Sequence, residues 1–368
     1  MRRCTIAAMT TSTSPHDPLE AWRRPLSITD PADLIVAVPA LLGFHPQRSL
    51  VLICLGGRSS TSVGAVMRHD LVSDAGMGTV VEQFGIICAN EKATAAMALV
   101  VDDRGGEDER YDTLLGVLAQ RLGDSGAELV GAHRTRRIAK GERWWGLLGD
   151  PRWGVLPDPT ASSVAAAHVL EGKQIRASRT DLTALLDGDV RERIAVADCV
   201  DDLRERELLA RLSELAEPTA TELSRLRLDL VLWQIATVAS GERLQPVEFA
   251  EIVMALDDRS VRDAVVALAI GPDAVAAEML WLALTQVAPV PYRADAAALL
   301  GFFAYIRSDG PLAGIALSVA LDSNPAHGLA ALLDAALTSG LRPSKMRPVA
   351  ESGYDVARRL GVNLPPPD

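Results

Sequence analysis

The sequence predicts two architectures in succession: a mixed α/β domain over residues 28–157, with helices flanking a mixed sheet, and an all-α helical domain over residues 190–345. Three observations carry this. Continuous apolar runs of strand length, such as Ser49–Leu55 and Ala96–Val101, alternate with helical stretches as far as Pro157. Beyond Thr160 such runs cease and helical periodicity continues. Apolar residues make up 48% of the chain but aromatic ones only 4%, so the core must rest on Ala, Leu and Val, which suit closely packed helices.

The elements follow in order. Residues 1–27 carry Thr, Ser, Pro and charge without periodicity and are expected to be a disordered tail. Asp30 is an N-cap with Pro31 in the first turn, and the helix ends at Gly43, with Pro39 predicting a kink or break. Ser49–Leu55 and Ser62–Asp70, separated by Gly56–Ser60, read as an antiparallel pair. Then come a helix over 78–89, a strand over 96–101, a helix over 107–122, a strand over 128–138 and its hairpin partner over 142–148. Pro151, Pro157 and Pro159 mark a boundary, and residues 158–189 are a connector with one helix. From Val190 the helices break at Pro218, Ser240–Gly241, Asp257–Asp258, Gly271–Pro272, Pro289–Pro291 and Ser308–Pro311. Residues 346–368 form a C-terminal helix and tail.

Charge and cysteine content narrow the function. The formal net charge is −11, which disfavours a broad phosphate-binding surface for nucleic acid. Cys4, Cys54, Cys88 and Cys199 are widely spaced, with neither a CxxC nor a Cys/His cluster, so no metal site is predicted and reduced thiols in a cytoplasmic protein are expected. No window approaches the roughly 20 apolar residues of a membrane helix. There is no GxSxG, HExxH or nucleotide-phosphate loop, so the catalytic residues, any reaction and any cofactor remain unknown from sequence.

Four blocks together carry a resemblance: VPALLGFHPQRSLV (38–51), MRHDL (67–71), DDRSVRD (257–263) and the stretch from ADAAALLGFFAYIRSDGPLAGIALSVALDSNPAHG to LRP (294–343). In that order they resemble the actinobacterial family called domain of unknown function 4192, over roughly residues 27–345. The resemblance implies an architecture and no chemistry. Where that family's pattern has a tryptophan and a Gly-Asp-Gly turn, this chain has Tyr305 and Ser308-Asp309-Gly310.

Topology locates a candidate site. If the strands 62–70, 96–101 and 128–138 run parallel, their C-terminal ends share the edge where open α/β sheets bind ligands. The start of the antiparallel 49–55 strand lies there too, so the loops 43–49, 68–78 and 102–108 converge. The candidate ligand-binding residues are His45, Arg48, Ser49, Arg68, Asp70, Asp102 and Asp103. Arg68 and Asp70 share a face, either as a strand-end ion pair or as a grip on a polar ligand. His45 suits proton exchange or a hydrogen-bonding anchor. Asp102 and Asp103 suit a divalent ion, or simply the dipole of the following helix alongside Glu107, Asp108 and Glu109.

A basic and aromatic patch, Arg134, Arg136, Arg143, Trp144 and Trp145, lies on the hairpin. It suits stacking on an anionic ligand or a base, or else a charged edge strand. The first functional expectation is therefore a non-enzymatic cytoplasmic binding or regulatory module, whose helical half contacts a protein partner or forms a homo-oligomer. The second is a small-ligand binder or enzyme at the sheet edge. The third is nucleic-acid contact through the hairpin.

Overall fold

In the computed structural model, which describes residues 5–8, 30–56, 62–72, 74–104, 109–148, 152–170, 174–212 and 219–367, seven strands form one mixed sheet. They are β1 (Thr5–Ala8), β2 (Ser49–Gly56), β3 (Ser62–Asp70), β4 (Ala95–Val101), β5 (Glu128–Thr135), β6 (Arg143–Gly146) and β7 (Trp153–Val155). Their order across the sheet is β1-β3-β2-β4-β5-β6-β7. β2 is antiparallel to both β3 and β4, and β4 is parallel to β5. The strands β3, β4 and β5 therefore run in one direction, as the sequence predicted.

Helix α1 (Pro31–Leu42) starts where expected: the Asp30 side chain accepts from the Ala32 amide at 2.9 Å, and Gly43 closes the helix at φ 71°. Pro39 does not break it. A proline four residues from the end removes one amide donor, which a short buried helix tolerates. Helices α2 (Asp74–Glu91) and α3 (Glu109–Asp124) follow β3 and β4. Both cover the same sheet face, where Leu50, Leu52, Met67, Ala98 and Val100 meet Phe84, Ile87, Leu118 and Leu122. The opposite face, with Val51, Ile53, Val66 and Leu99, is equally buried, and α1 packs with α4 (Ser163–Leu170).

Three elements differ from expectation. Thr5–Ala8, placed in the disordered tail, pairs antiparallel with β3. Four residues joining a distant edge strand leave no local periodicity to read. β5 ends at Thr135, three residues short, because the chain turns there toward β6. β7 adds a short partner to β6. The turn residues 57–61 and the loop residues Gly105, Gly106, Glu107 and Asp108 lie outside the described residues, as does Pro218.

Beyond α5 (Arg179–Ala184) the chain is helical: α6 (Val190–Leu212), α7 (Ala220–Ala239), α8 (Pro246–Leu256), α9 (Arg259–Val265), α10 (Ala274–Val287), α11 (Arg293–Ile306), α12 (Gly310–Ser323), α13 (Gly328–Thr338) and α14 (Arg347–Arg359). Alanines 294, 296, 297, 298 and 304 of α11 are all buried, so this core depends on close helix approach, as the composition implied. Trp281, Phe302 and Phe303 supply its bulk.

Contacts divide the chain into two units. The first comprises Met1–Leu182, Ser308–Pro311 and Ala335–Arg342, and the second comprises Thr183–Arg307, Leu312–Asp334 and Pro343–Asp368. The segment Ala335–Arg342 is thus a strap on the first unit. Gln83 and Asn90 of α2 donate to the carbonyls of Thr338 (3.2 Å) and Ser339 (2.6 Å), and Arg342 pairs with Glu91 at 3.2 Å. Gly340 sits at φ 71°, where a Cβ would stand 2.7 Å from Ile87, so this crossing needs glycine on both counts.

Candidate functional site

Register brings the predicted rim together. Ser49 pairs with Asp70 on one side and Val101 on the other, and Val101 pairs with Thr135. These four residues form one row at the C-terminal edge of β3, β4 and β5. The loops after Gly43, Asp70, Val101 and Thr135 therefore leave the sheet side by side.

Arg68 is the anchor of this edge. It is 4% exposed. Its Nε donates to Ser49 Oγ at 2.7 Å, and one terminal nitrogen donates to the Gln47 carbonyl (3.2 Å) and to Asp70 (2.5 Å). Its guanidinium also lies 5.8 Å from the Phe44 ring centroid. Ser49, fully buried, donates to Gln47 O at 2.6 Å. Arg68, Ser49 and Asp70 thus hold the 44–49 loop against the sheet.

The outward residue of that loop is Arg48. It adopts φ 46°, a left-handed backbone that a branched or long side chain rarely takes. Its Nε donates to Asp103 Oδ1 at 2.8 Å, both side chains being more than half exposed. This hydrogen bond raises the Arg48 pKa and lowers that of Asp103. The positive charge of Arg104 acts on Arg48 in the opposite sense, so the two guanidiniums are electrostatic neighbours.

Asp102 is wholly buried. It accepts from the Arg104 amide (3.1 Å), from Arg104 Nε and a terminal nitrogen (2.9 Å each), and from Tyr111 Oη (2.8 Å). The bond to Asp102 raises the Arg104 pKa. Asp102 and Asp103 therefore each face a guanidinium. Among the described residues no group of three or more His, Cys, Asp or Glu could hold a metal ion.

His45 turns to the far end of the rim. Its amide donates to the Arg176 carbonyl at 3.1 Å, and its ring bonds to the Ile138 backbone. Burial lowers its pKa below the ordinary histidine value. It is an anchor between loops here.

The basic and aromatic residues are dispersed. Arg134 is buried, 5.7 Å from the Tyr111 ring centroid. Trp144 is buried edge-on to His133 at 5.2 Å and against Gly154, where a Cβ would stand 2.6 Å from its Nε1. Trp145 is half-buried opposite Trp153, Arg136 is exposed, and Arg143 lies 5.6 Å from the exposed Trp153 ring. Sequence reasoning missed Arg104 and Tyr111, the partners of Asp102. The signal for Arg104 was its position two residues after an acid that ends a buried strand.

Two further constellations lie in the helical unit. Arg262 donates to Asp295 at 2.7 Å, and His327 Nε2 lies 3.1 Å from the same carboxylate oxygen. His327 Nδ1 accepts from the Ala330 amide at 3.1 Å, so Nε2 carries the proton and the ring caps α13. Arg262 belongs to the 257–263 block and Asp295 and His327 to the 294–343 block, so two of the sequence blocks quoted above meet here. The second constellation is on α7, which opens with a reciprocal capping box between Thr219 and Glu222. Leu228, Val231 and Ile235 face inward. On the opposite side Leu226 is 59% and Trp233 72% exposed, with Leu230 half-buried between them. With Leu223 these residues follow the 3-4 spacing of a helix-pairing seam.

Among the described residues, no helix is long and apolar enough to cross a membrane. The family described as Domain of unknown function (DUF4192) matches residues 31–344. No curated protein and no solved structure matches the chain.

Proposed function

The chain belongs to the DUF4192 family, and from that premise we propose that it is a binding module whose helical unit pairs with a second copy of itself along α7. The observation that carries this reading is the exposed Leu226–Trp233 seam. Scattered exposed leucines are ordinary on a protein surface, but a tryptophan on a 3-4 spaced row is the composition of an interface centre. Such a seam is complementary to itself: a two-fold axis near Leu230 sets Leu226 of one copy against Trp233 of the other.

Sedimentation equilibrium of the full chain tests it. The expected result is a dimer that Trp233→Glu weakens by about 30-fold, the loss of a central interface residue. At concentrations well below the dimer dissociation constant the melting temperature of the variant should match that of the wild type, since the position is exposed in the single copy. A strictly monomeric wild-type protein at high micromolar concentration rejects the reading.

A second reading, a small-ligand site for a carboxylate or phosphate group at the sheet edge, is favoured by Arg48. A strained backbone that holds an exposed guanidinium beside that of Arg104 is the kind of local cost found at ligand sites. Arg48→Gly separates backbone from charge, because glycine accepts φ 46° freely. Thermal-shift titration with inorganic phosphate and with citrate should stabilise the wild type and not the variant, while the unliganded variant melts no lower. Equal shifts in both proteins would remove Arg48 from any such site.

A further inference from the structure

Two thiols meet in the core between β2 and α2. Cys54 lies at the β2 irregularity between Ile53 and Leu55, and its side chain enters the cluster lined by α2 and α3. Cys88 occupies the last turn of α2. Both are buried, and their Sγ atoms are 3.3 Å apart. A disulfide requires about 2.05 Å. The remaining gap, roughly 1.2 Å, is within what small χ1 adjustments of two side chains supply. Sequence spacing did not point to the pair, because 34 positions separate the two residues. Neither residue belongs to the rim or to the α7 seam.

We propose that Cys54 and Cys88 are a covalent modification site that a peroxide closes into an intramolecular disulfide, joining α2 to β2, and that a small dithiol reopens. One sulfur attacks a peroxide oxygen; the O–O bond breaks, a sulfenic acid forms and water leaves. The second thiol then attacks the sulfenic sulfur; the S–S bond forms, the S–O bond breaks, and a second water carries away the thiol proton. Two thiols are oxidised by two electrons, and hydrogen peroxide is reduced to two waters. The hydrogen bond with Cys88, and then burial, raise the Cys54 thiol well above its ordinary pKa. Reaction therefore waits on local opening of the end of α2. That end is tied through Asn90 and Glu91 to the strap residues Ser339 and Arg342, so closure should be slow and should not require unfolding of the whole unit.

The experiment treats the full-length protein with hydrogen peroxide, alkylates it in denaturant and maps its peptides without reduction. The expected result is a Cys54–Cys88 cross-linked peptide pair that dithiothreitol removes, with Cys199 still alkylated. The oxidised protein should melt higher by about 5 °C or more, because the bridge closes a long loop. Full alkylation of both thiols after treatment overturns the proposal, as does sulfinic acid in place of the cross-link or a bridge to Cys4 or Cys199. Cys88→Ala supplies the control: it should lose both the cross-link and the rise in melting temperature. An equal rise in that variant would also overturn the proposal. If the variant does not fold, the wild-type peptide map decides alone.

Discussion

Arg68→Leu should lower the stability of the protein by about 3 kcal/mol, more than any other single change at the sheet edge, as read from urea denaturation. The side chain is almost wholly buried and binds three partners: Ser49, the Gln47 carbonyl and Asp70. Leucine fills much of the volume but removes a donor from all three; the Gln47 carbonyl keeps the Ser49 hydroxyl, whereas Ser49 Oγ and Asp70 lose their bond from Arg68 and bear the desolvation cost. The figure sits at the low end for broken buried pairs because the Asp70 carboxylate is 28% exposed and can turn toward water. Arg68→Lys should recover only part of the loss, since a single ammonium cannot reproduce the forked geometry. A change below about 0.5 kcal/mol would mean that the 44–49 loop is held by something other than Arg68.

Trp281→Ala should cost about 3–5 kcal/mol, the usual range for emptying a large aromatic site. Trp281 is fully buried and meets Phe303 edge-on at 6.1 Å. The surrounding helices rest on alanines, which cannot swing inward to refill the space. Trp281→Phe should cost far less. The indole Nε1 has no hydrogen-bond partner among the described residues, so removing it relieves a desolvated donor while keeping most of the ring. Melting curves of the two variants separate these outcomes; similar losses would show that ring volume is not what the site depends on.

What was legible in the sequence was whatever local pattern encodes. β2 and β3 emerged from continuous apolar runs bounded by glycine and polar turns, α1 from its Asp30 cap and Gly43 stop. Chain direction followed from the crossover rule, and it placed Ser49, Asp70 and Asp102 at one edge. What was not legible depends on distant partners. β1 takes its structure from pairing with β3, and β7 from pairing with β6. The hydroxyl that completes Asp102 comes from α3, and the thiols of Cys54 and Cys88 meet only once α2 docks. The sequence grouped Arg134 and Arg136 in one basic patch on the hairpin, but β5 stops at Thr135, and Arg134 is buried while Arg136 is exposed. Ser308 shows the reverse relation. It stands where the resemblance implies a glycine, and it holds φ 67°, a left-handed backbone that glycine adopts without cost.

The strap over α2 has a consequence for biosynthesis. Residues 335–342 leave the ribosome roughly 250 positions after the α2 residues they bind. Until the strap arrives, Gln83, Ile87, Asn90 and Glu91 lack their partners, so the amino-terminal unit cannot finish folding co-translationally as an independent domain. A single proteolytic cut between the units would likewise not release two complete halves, since each is woven from several stretches of the polypeptide.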